Sequence, residues 1–242
     1  MGLLGDRLKS LLGGPRSSAE AGLSAHGRAA PGLAARPGRG EVRLSTRPVA
    51  TETRQSRGLD QFFGSYRDQT GLSILDLGGA HQENINFITS LGHKFYSEDF
   101  LRIFEETFGE DIADQSNPGR IDYFLRRSLD YADEQFDGVL AWDALEYMEP
   151  ALLAATAERL WRILKPKGYL LAIFHPAERK QTVPCYNFRI QDPRTLQVGR
   201  HGERAAAQTL FNNRSVEKLF QKFESVKFFL ARDSLREVIV RR

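Results

Sequence analysis

The apolar run Ser73-Ile74-Leu75-Asp76-Leu77 ends in Gly78-Gly79-Ala80-His81-Gln82. Glycines at a strand's end let the backbone approach a ligand closely, and the helix that follows offers free N–H groups. About 20 residues further on, a second strand-like run ends in Glu98-Asp99, the separation at which a carboxylate can accept both hydroxyls of a ribose. Two more acidic ends follow: Leu129-Asp130-Tyr131 after the run 121–125, and Trp142-Asp143 after the run 137–142. Ligands of open α/β sheets bind beyond the carboxyl ends of the strands. Four carboxylate-bearing ends on one rim suit a cationic ligand, whereas a pyrophosphate would meet repulsion there.

Beyond the rim, His175 ends a fifth strand-like run just before Pro176. An imidazole titrates near working pH, so His175 is a candidate general base, with a hydrogen-bonded structural histidine as the alternative. Tyr147 is a second candidate, and Cys185 and Tyr186 are further substrate-side positions. His81 lies in the glycine turn, where it can replace a missing turn contact. The histidines are scattered without ligand spacing, and one cysteine cannot build a thiolate site, so no metal centre is expected.

These residues need a frame that brings strand ends together. From Ser73 the chain alternates strand-like runs (73–77, 94–98, 121–125, 137–142, 169–174) with helix-spaced apolar residues such as Ile85, Ile88 and Leu91, or Phe100, Ile103, Phe104 and Phe108. Pro150 opens a further helix carrying Leu153, Ala157, Leu160 and Leu164, which stops at Lys165-Pro166-Lys167-Gly168. Alternation of this kind implies a doubly wound, Rossmann-like α/β sheet, mainly parallel. The last two runs, 224–231 and 235–242, face each other across Arg232-Asp233-Ser234 and predict a closing C-terminal antiparallel hairpin. A second hairpin, inserted at about 177–212 around Asp192-Pro193-Arg194, would hang over the pocket. Its Arg189, Arg194, Arg200, His201 and Arg204 would favour an anionic acceptor, or form a solvated basic loop.

The chain's first aromatic residue is Phe62. Before it, Gly, Ala, Arg, Ser and Pro dominate, and such a segment buries too little apolar surface to offset its ordering entropy. Residues 1–57 are therefore expected to be a disordered tail that joins no core, and 58–242 the folded domain. The tail holds 10 Lys/Arg against 4 Asp/Glu, and the rest holds 24 against 27, so no broad basic face for nucleic acid is expected on the domain. Leu4, Leu8, Leu11 and Leu12 share one helical face, so residues 1–12 suit a weak membrane-surface or protein contact, or a transient helix. Asp6 stands where a myristoylation signal wants Ser or Thr, and an organelle transit peptide is the minority reading of the tail. The single cysteine fits a reducing, cytoplasmic setting.

Taken together, ILDLGGAHQENI, FYSEDF, FDGVLAWDALEYM and LWRILKPKGYLLAIFHP resemble the class I S-adenosylmethionine (SAM)-dependent methyltransferases over about residues 70–242. The resemblance implies SAM as cofactor and methyl transfer to a small-molecule acceptor. It implies that Asp76, Gly78, Gly79 and Ala80 shape the cofactor loop, and that Glu98 holds the ribose hydroxyls, with Asp99 as the alternative. Asp130 and Tyr131 would meet the adenine, and Trp142 and Asp143 would line the methionine end. Two departures stand out: Ala80 and Gln82 replace glycines of the family's loop, and Lys167 replaces one before the fifth strand. The eroded loop leaves a non-catalytic scaffold or ligand-binding pseudo-enzyme as the alternative. A nicotinamide oxidoreductase would need a G-x-G-x-x-G turn, which residues 78–83 do not supply.

Overall fold

The computed structural model describes residues 51–109, 113–176, 181–207, 209–230 and 235–242. The proposed contact through residues 1–12 lies outside them. A central sheet contains β2 (Ser73–Asp76), β3 (Lys94–Ser97), β4 (Phe136–Trp142), β5 (Leu164–Phe174), β8 (Ser225–Leu230) and β9 (Arg236–Arg241), in the order β3-β2-β4-β5-β9-β8. The first four are parallel, and the expected terminal hairpin closes the sheet, β9 running antiparallel to both β5 and β8. A smaller antiparallel sheet is made of β1 (Thr51–Gln55), β7 (Thr195–Ala205) and β6 (Thr182–Asp192), and β6–β7 is the inserted hairpin.

Both faces of the central sheet are buried, as its nearly continuous apolar runs require. Along β5, Leu170, Ala172 and Phe174 enter one core, and Leu171 and Ile173 enter the other. The first core lies beneath α3 (Phe100–Phe108), α4 (Pro118–Ser128), α5 (Pro150–Ile163) and α6 (Asn213–Leu219). The second lies beneath α1 (Arg57–Gly64), α2 (Gln82–Ser90) and the hairpin residues Phe188, Ile190, Leu196 and Val198. The hairpin is thus part of the core and not an appended loop. No helix of the described residues is long and apolar enough to cross a membrane.

Two expectations change. Residues 121–125 are not a strand but the middle of α4. Asn117 caps that helix by accepting from Gly119 N and Arg120 N, Pro118 sits in its first turn, and Ile121, Phe124 and Leu125 make a helical stripe that packs on the first core. Asp130 and Tyr131 therefore follow a helix, and the parallel part of the sheet ends at β3. The described fold also begins earlier than composition suggests. Thr51–Gln55 pair with β7, and Ser56 caps α1 through Leu59 N at 3.0 Å. The guanidinium of Arg54 pairs with buried Glu237 of β9 at 2.9 Å, and the other carboxylate oxygen accepts from Gly58 N at 2.7 Å.

Lys167 has φ 68°, the left-handed conformation that glycine adopts without penalty. Lys167→Gly should therefore stabilise the fold by about 0.5–1 kcal/mol, read as a rise in the urea midpoint; an unchanged or lower midpoint would contradict the strain. A chain beginning at Gly58 loses β1 and leaves Glu237 buried without its guanidinium. It should lose about 3–5 kcal/mol relative to the full chain, and equal thermal midpoints for the two would show that β1 adds nothing.

Candidate cofactor and acceptor site

Asp76 ends β2 with no exposed surface. One carboxylate oxygen accepts from Gly78 N at 2.8 Å and from the indole N–H of Trp142 at 2.6 Å, and the other accepts from the Asn84 amide at 2.8 Å. Burial pushes its pKa up to about 6 against the pull of these three donors. Asn84 carries the link onward: its Nδ2 also reaches Phe188 O at 3.1 Å, and its Oδ1 accepts from Ile190 N at 2.7 Å. One carboxylate thus ties the glycine turn, the end of β4, α2 and the inserted hairpin together.

Gly79 takes φ 89° and donates its N–H to Glu98 O, which joins the turn to the end of β3. Ala80 is exposed and lies outside the positive-φ region, so replacing a glycine there costs the backbone little. Gly78 has a different reason to be glycine. A Cβ on it would stand 2.9 Å from Cδ1 of Trp142. The space its missing side chain opens is filled by an indole of the same chain.

Trp142 is buried at φ 50°, an uncommon conformation for a bulky residue, and its ring stacks on Phe188 with centroids 5.2 Å apart and planes at 6°. Its neighbour Asp143 accepts from the Tyr147 hydroxyl at 2.6 Å and from Tyr186 N at 3.3 Å, and burial lifts its pKa to about 6. Burial and the adjacent Asp143 carboxylate hold the Tyr147 phenol well above its ordinary range, so it keeps its proton. As a catalytic candidate it is a donor and a wall, not a base.

The expected rim residues split into two groups. Gly78, Trp142, Asp143 and Asp99 line one cavity of about 270 Å³, with His81 and Arg204 opposite. Glu98 turns instead to Tyr131, whose hydroxyl donates to it at 2.6 Å. Asp99 also caps α3, accepting from Arg102 N and Nε. Asp130 is exposed on the loop after α4. His175 is buried, its ring stacked on Tyr186, with its Nδ1 3.8 Å from Glu146 and its backbone N–H donating to the same carboxylate. Cys185 is buried beside Tyr147.

A second cavity of about 510 Å³ is walled by Phe104, Gln115, Tyr147 and Ala206, among others. It shares Glu105 and Arg204 with the first, and these two form an ion pair at 2.7 Å. The arginines of the hairpin are engaged throughout: Arg189 with Glu83, Arg194 with Asp60, Arg200 with Glu203 and Arg204 with Glu105. His201 and Arg204 remain in the lining of the first cavity. Sequence reasoning missed Asn84, Phe188, Glu146 and the Glu105–Arg204 pair. Asn84 and Glu146 lie inside the blocks that carry the resemblance, but their contacts with Phe188, Ile190 and His175, like the Glu105–Arg204 pair, join segments more than 20 residues apart.

Burial pushes Glu146 up to about 8, with His175 N–H and Arg236 opposing and Asp143 adding to the shift. The unfolded value is about 4.3. Because the folded value is the higher one, the folded state binds the extra proton between them, and stability falls as pH rises from about 4 through 8. Asp76 and Asp143 act with the same sign, their effect complete by about pH 6 to 7. Glu146→Gln should flatten the decline between pH 6 and 8, by at most about 1.4 kcal/mol per pH unit. Urea midpoints across that range measure it, and parallel wild-type and variant curves would show that Glu146 titrates as an ordinary carboxylate.

Residues 75–172, which span the glycine turn, the rim of β4 and most of β5, match the family model of the methyltransferase domain. No curated protein sequence gives a significant match. Among solved structures, the chain is similar to the 1,6-didemethyltoxoflavin N1-methyltransferase of Burkholderia thailandensis, determined with 1,6-didemethyltoxoflavin and S-adenosylhomocysteine bound (12% identity, 77% of each chain covered, TM-score 0.41). It is similar too to SAM-dependent methyltransferases of Archaeoglobus fulgidus (14%, 76% of this chain and 91% of that one, 0.45) and Aquifex aeolicus (11%, 76% and 88%, 0.41). The domain match over 75–172 covers the turn after β2, all of β4 and most of β5, the part of the chain in which the mainly parallel sheet is built.

Proposed function

We propose that the chain transfers a methyl group from SAM to a small-molecule acceptor. The observation that carries this reading is the convergence of the ends of β2, β3 and β4 on one cavity within the methyltransferase domain. The donor set fits the cofactor in part. Asp99 stands at the cavity where ribose hydroxyls need a carboxylate, and its two oxygens retain lone pairs beyond those that Arg102 uses. Cavity lining by Asp99 and the engagement of Glu98 with the Tyr131 hydroxyl support giving the ribose role to Asp99. Asp143 gives the cavity a carboxylate suited to a cation, and the Asp76 network holds the turn's shape.

When bound, SAM supplies an electrophilic methyl group on a sulfonium sulfur. Transfer is a direct displacement, so the protein's tasks are alignment at near-attack distance and exclusion of water. The adjoining cavity, about 510 Å³, lies within the range that holds small organic ligands. Its shared wall of Glu105 and Arg204 is where donor and acceptor would meet. Tyr147 orients through Asp143, and His175 acts from behind Tyr186, so neither is assigned as the base. The scaffold reading has one observation in its favour: the Trp142 indole stands against Gly78.

Titration calorimetry with SAM and S-adenosylhomocysteine tests the proposal. Wild type should bind both. Asp99→Asn should lose about 1.5–3 kcal/mol through a weakened charge-assisted contact, and Ala80→Gly should change affinity by less than about 1 kcal/mol. Absence of heat and of thermal shift at millimolar cofactor would put the scaffold reading first. A loss in Glu98→Gln but not in Asp99→Asn would return the ribose role to Glu98.

A further inference from the structure

We infer that Trp142 and Phe188 form an internal closure of the cofactor cleft, which the ligand must displace by parting the two rings. The inference rests on the SAM-binding reading above and adds how that site is opened.

Three independent features support it. The indole of Trp142 stands against Gly78 on the side a Cβ would take, 2.9 Å from that position, and narrows the approach to a turn whose Gly78 and Ala80 are otherwise exposed. The free volume beside it, about 270 Å³, falls below the roughly 300 Å³ at which pockets for organic ligands begin. A molecule bearing both an adenosine and an amino acid therefore needs the indole's space. The ring is also held from both sides, by its N–H to Asp76 at 2.6 Å and by the parallel stack on Phe188.

The closure is built to come apart. Trp142 sits at φ 50°, an uncommon conformation for a bulky residue, at a register shift between β4 and β5. The closure itself is one aromatic stack and one indole hydrogen bond, while the hairpin backbone stays anchored by its core residues, its ion pairs and the amide of Asn84. Lifting Phe188 off the indole frees Trp142 to rotate, and it leaves Asp76 with its Gly78 and Asn84 donors. A protein whose competent state is a fraction of the whole binds with affinity reduced by that fraction. Weakening the closure should therefore raise apparent affinity, the reverse of what removing a ligand contact does.

The chain has two tryptophans, so Trp161→Phe leaves Trp142 as the sole emitter. Titrating that variant with SAM should shift its emission as the indole leaves its buried, hydrogen-bonded position. Introduced alongside, Phe188→Ala should tighten SAM binding by about 2- to 10-fold, the range that an aromatic stack accounts for. Phe188→Leu, which keeps an apolar residue in the core, should tighten it in the same direction and serves if the alanine variant unfolds. Binding with unshifted emission, and equal or weaker affinity in the Phe188 variants, would overturn the closure and leave the methyl-transfer reading standing. Absence of binding in every variant at millimolar SAM would overturn both.

Discussion

The architecture of the site depends on one buried carboxylate. Asp76 has no contact with solvent, and leaving an ionised group there without donors would cost several kcal/mol. Its donors come from Gly78, Trp142 and Asn84, which belong to the turn after β2, the end of β4 and the start of α2. Satisfying that charge fixes where the glycine turn points and which way the indole faces. Through Asn84 it also fixes where the inserted hairpin lies, because the same amide bonds the backbone of β6.

The hairpin follows from this as a second layer of constraint. Its apolar residues Phe188, Ile190, Leu196 and Val198 join the core beneath α1 and α2, so it cannot behave as a free substrate loop. Its arginines each meet a carboxylate, those on Glu83, Asp60 and Glu105 reaching back to the domain and that of Arg200 pairing within the hairpin on Glu203. The third strand of the small sheet, β1, brings Arg54 onto Glu237 of β9, which couples the hairpin's sheet to the antiparallel part of the central one. Two cavities remain between hairpin and rim, and the Glu105–Arg204 pair divides them.

Much of this was legible in residue order. The apolar runs of β2, β4 and β5 and the terminal hairpin appear where the residue pattern indicates them. The breaker at 165–168 ends α5 but lies within β5 as a shift of register and not as a separate turn. Gly78, Asp99, Trp142 and Asp143 meet at one cavity because a parallel sheet aligns strand ends, a property of topology and not of local sequence. The misreading of 121–125 arose because Ile121, Phe124 and Leu125 fit a short apolar run as well as a helical stripe; Asn117-Pro118 was the signal that separates the two. The early start at Thr51 was hidden because β1 is mostly exposed and polar, and its stability comes from pairing with β7. The ion pairs of the hairpin arginines were hidden for the same reason. Their partners lie in Glu83, Asp60 and Glu105, and a charge's partner across the fold leaves no mark on its own neighbours in sequence.

The central claim is that the cleft bounded by the Asp76 turn and the inserted hairpin is where the cofactor binds. Hydrogen exchange measured with and without millimolar SAM addresses it directly, because amide protection reports which backbone segments a ligand orders. The account predicts slowed exchange in the segment 77–84, which holds the glycine turn and Asn84, with a change in the same experiment across 186–190 of the hairpin. Unchanged exchange in both segments, or protection confined to other parts of the domain, would contradict it.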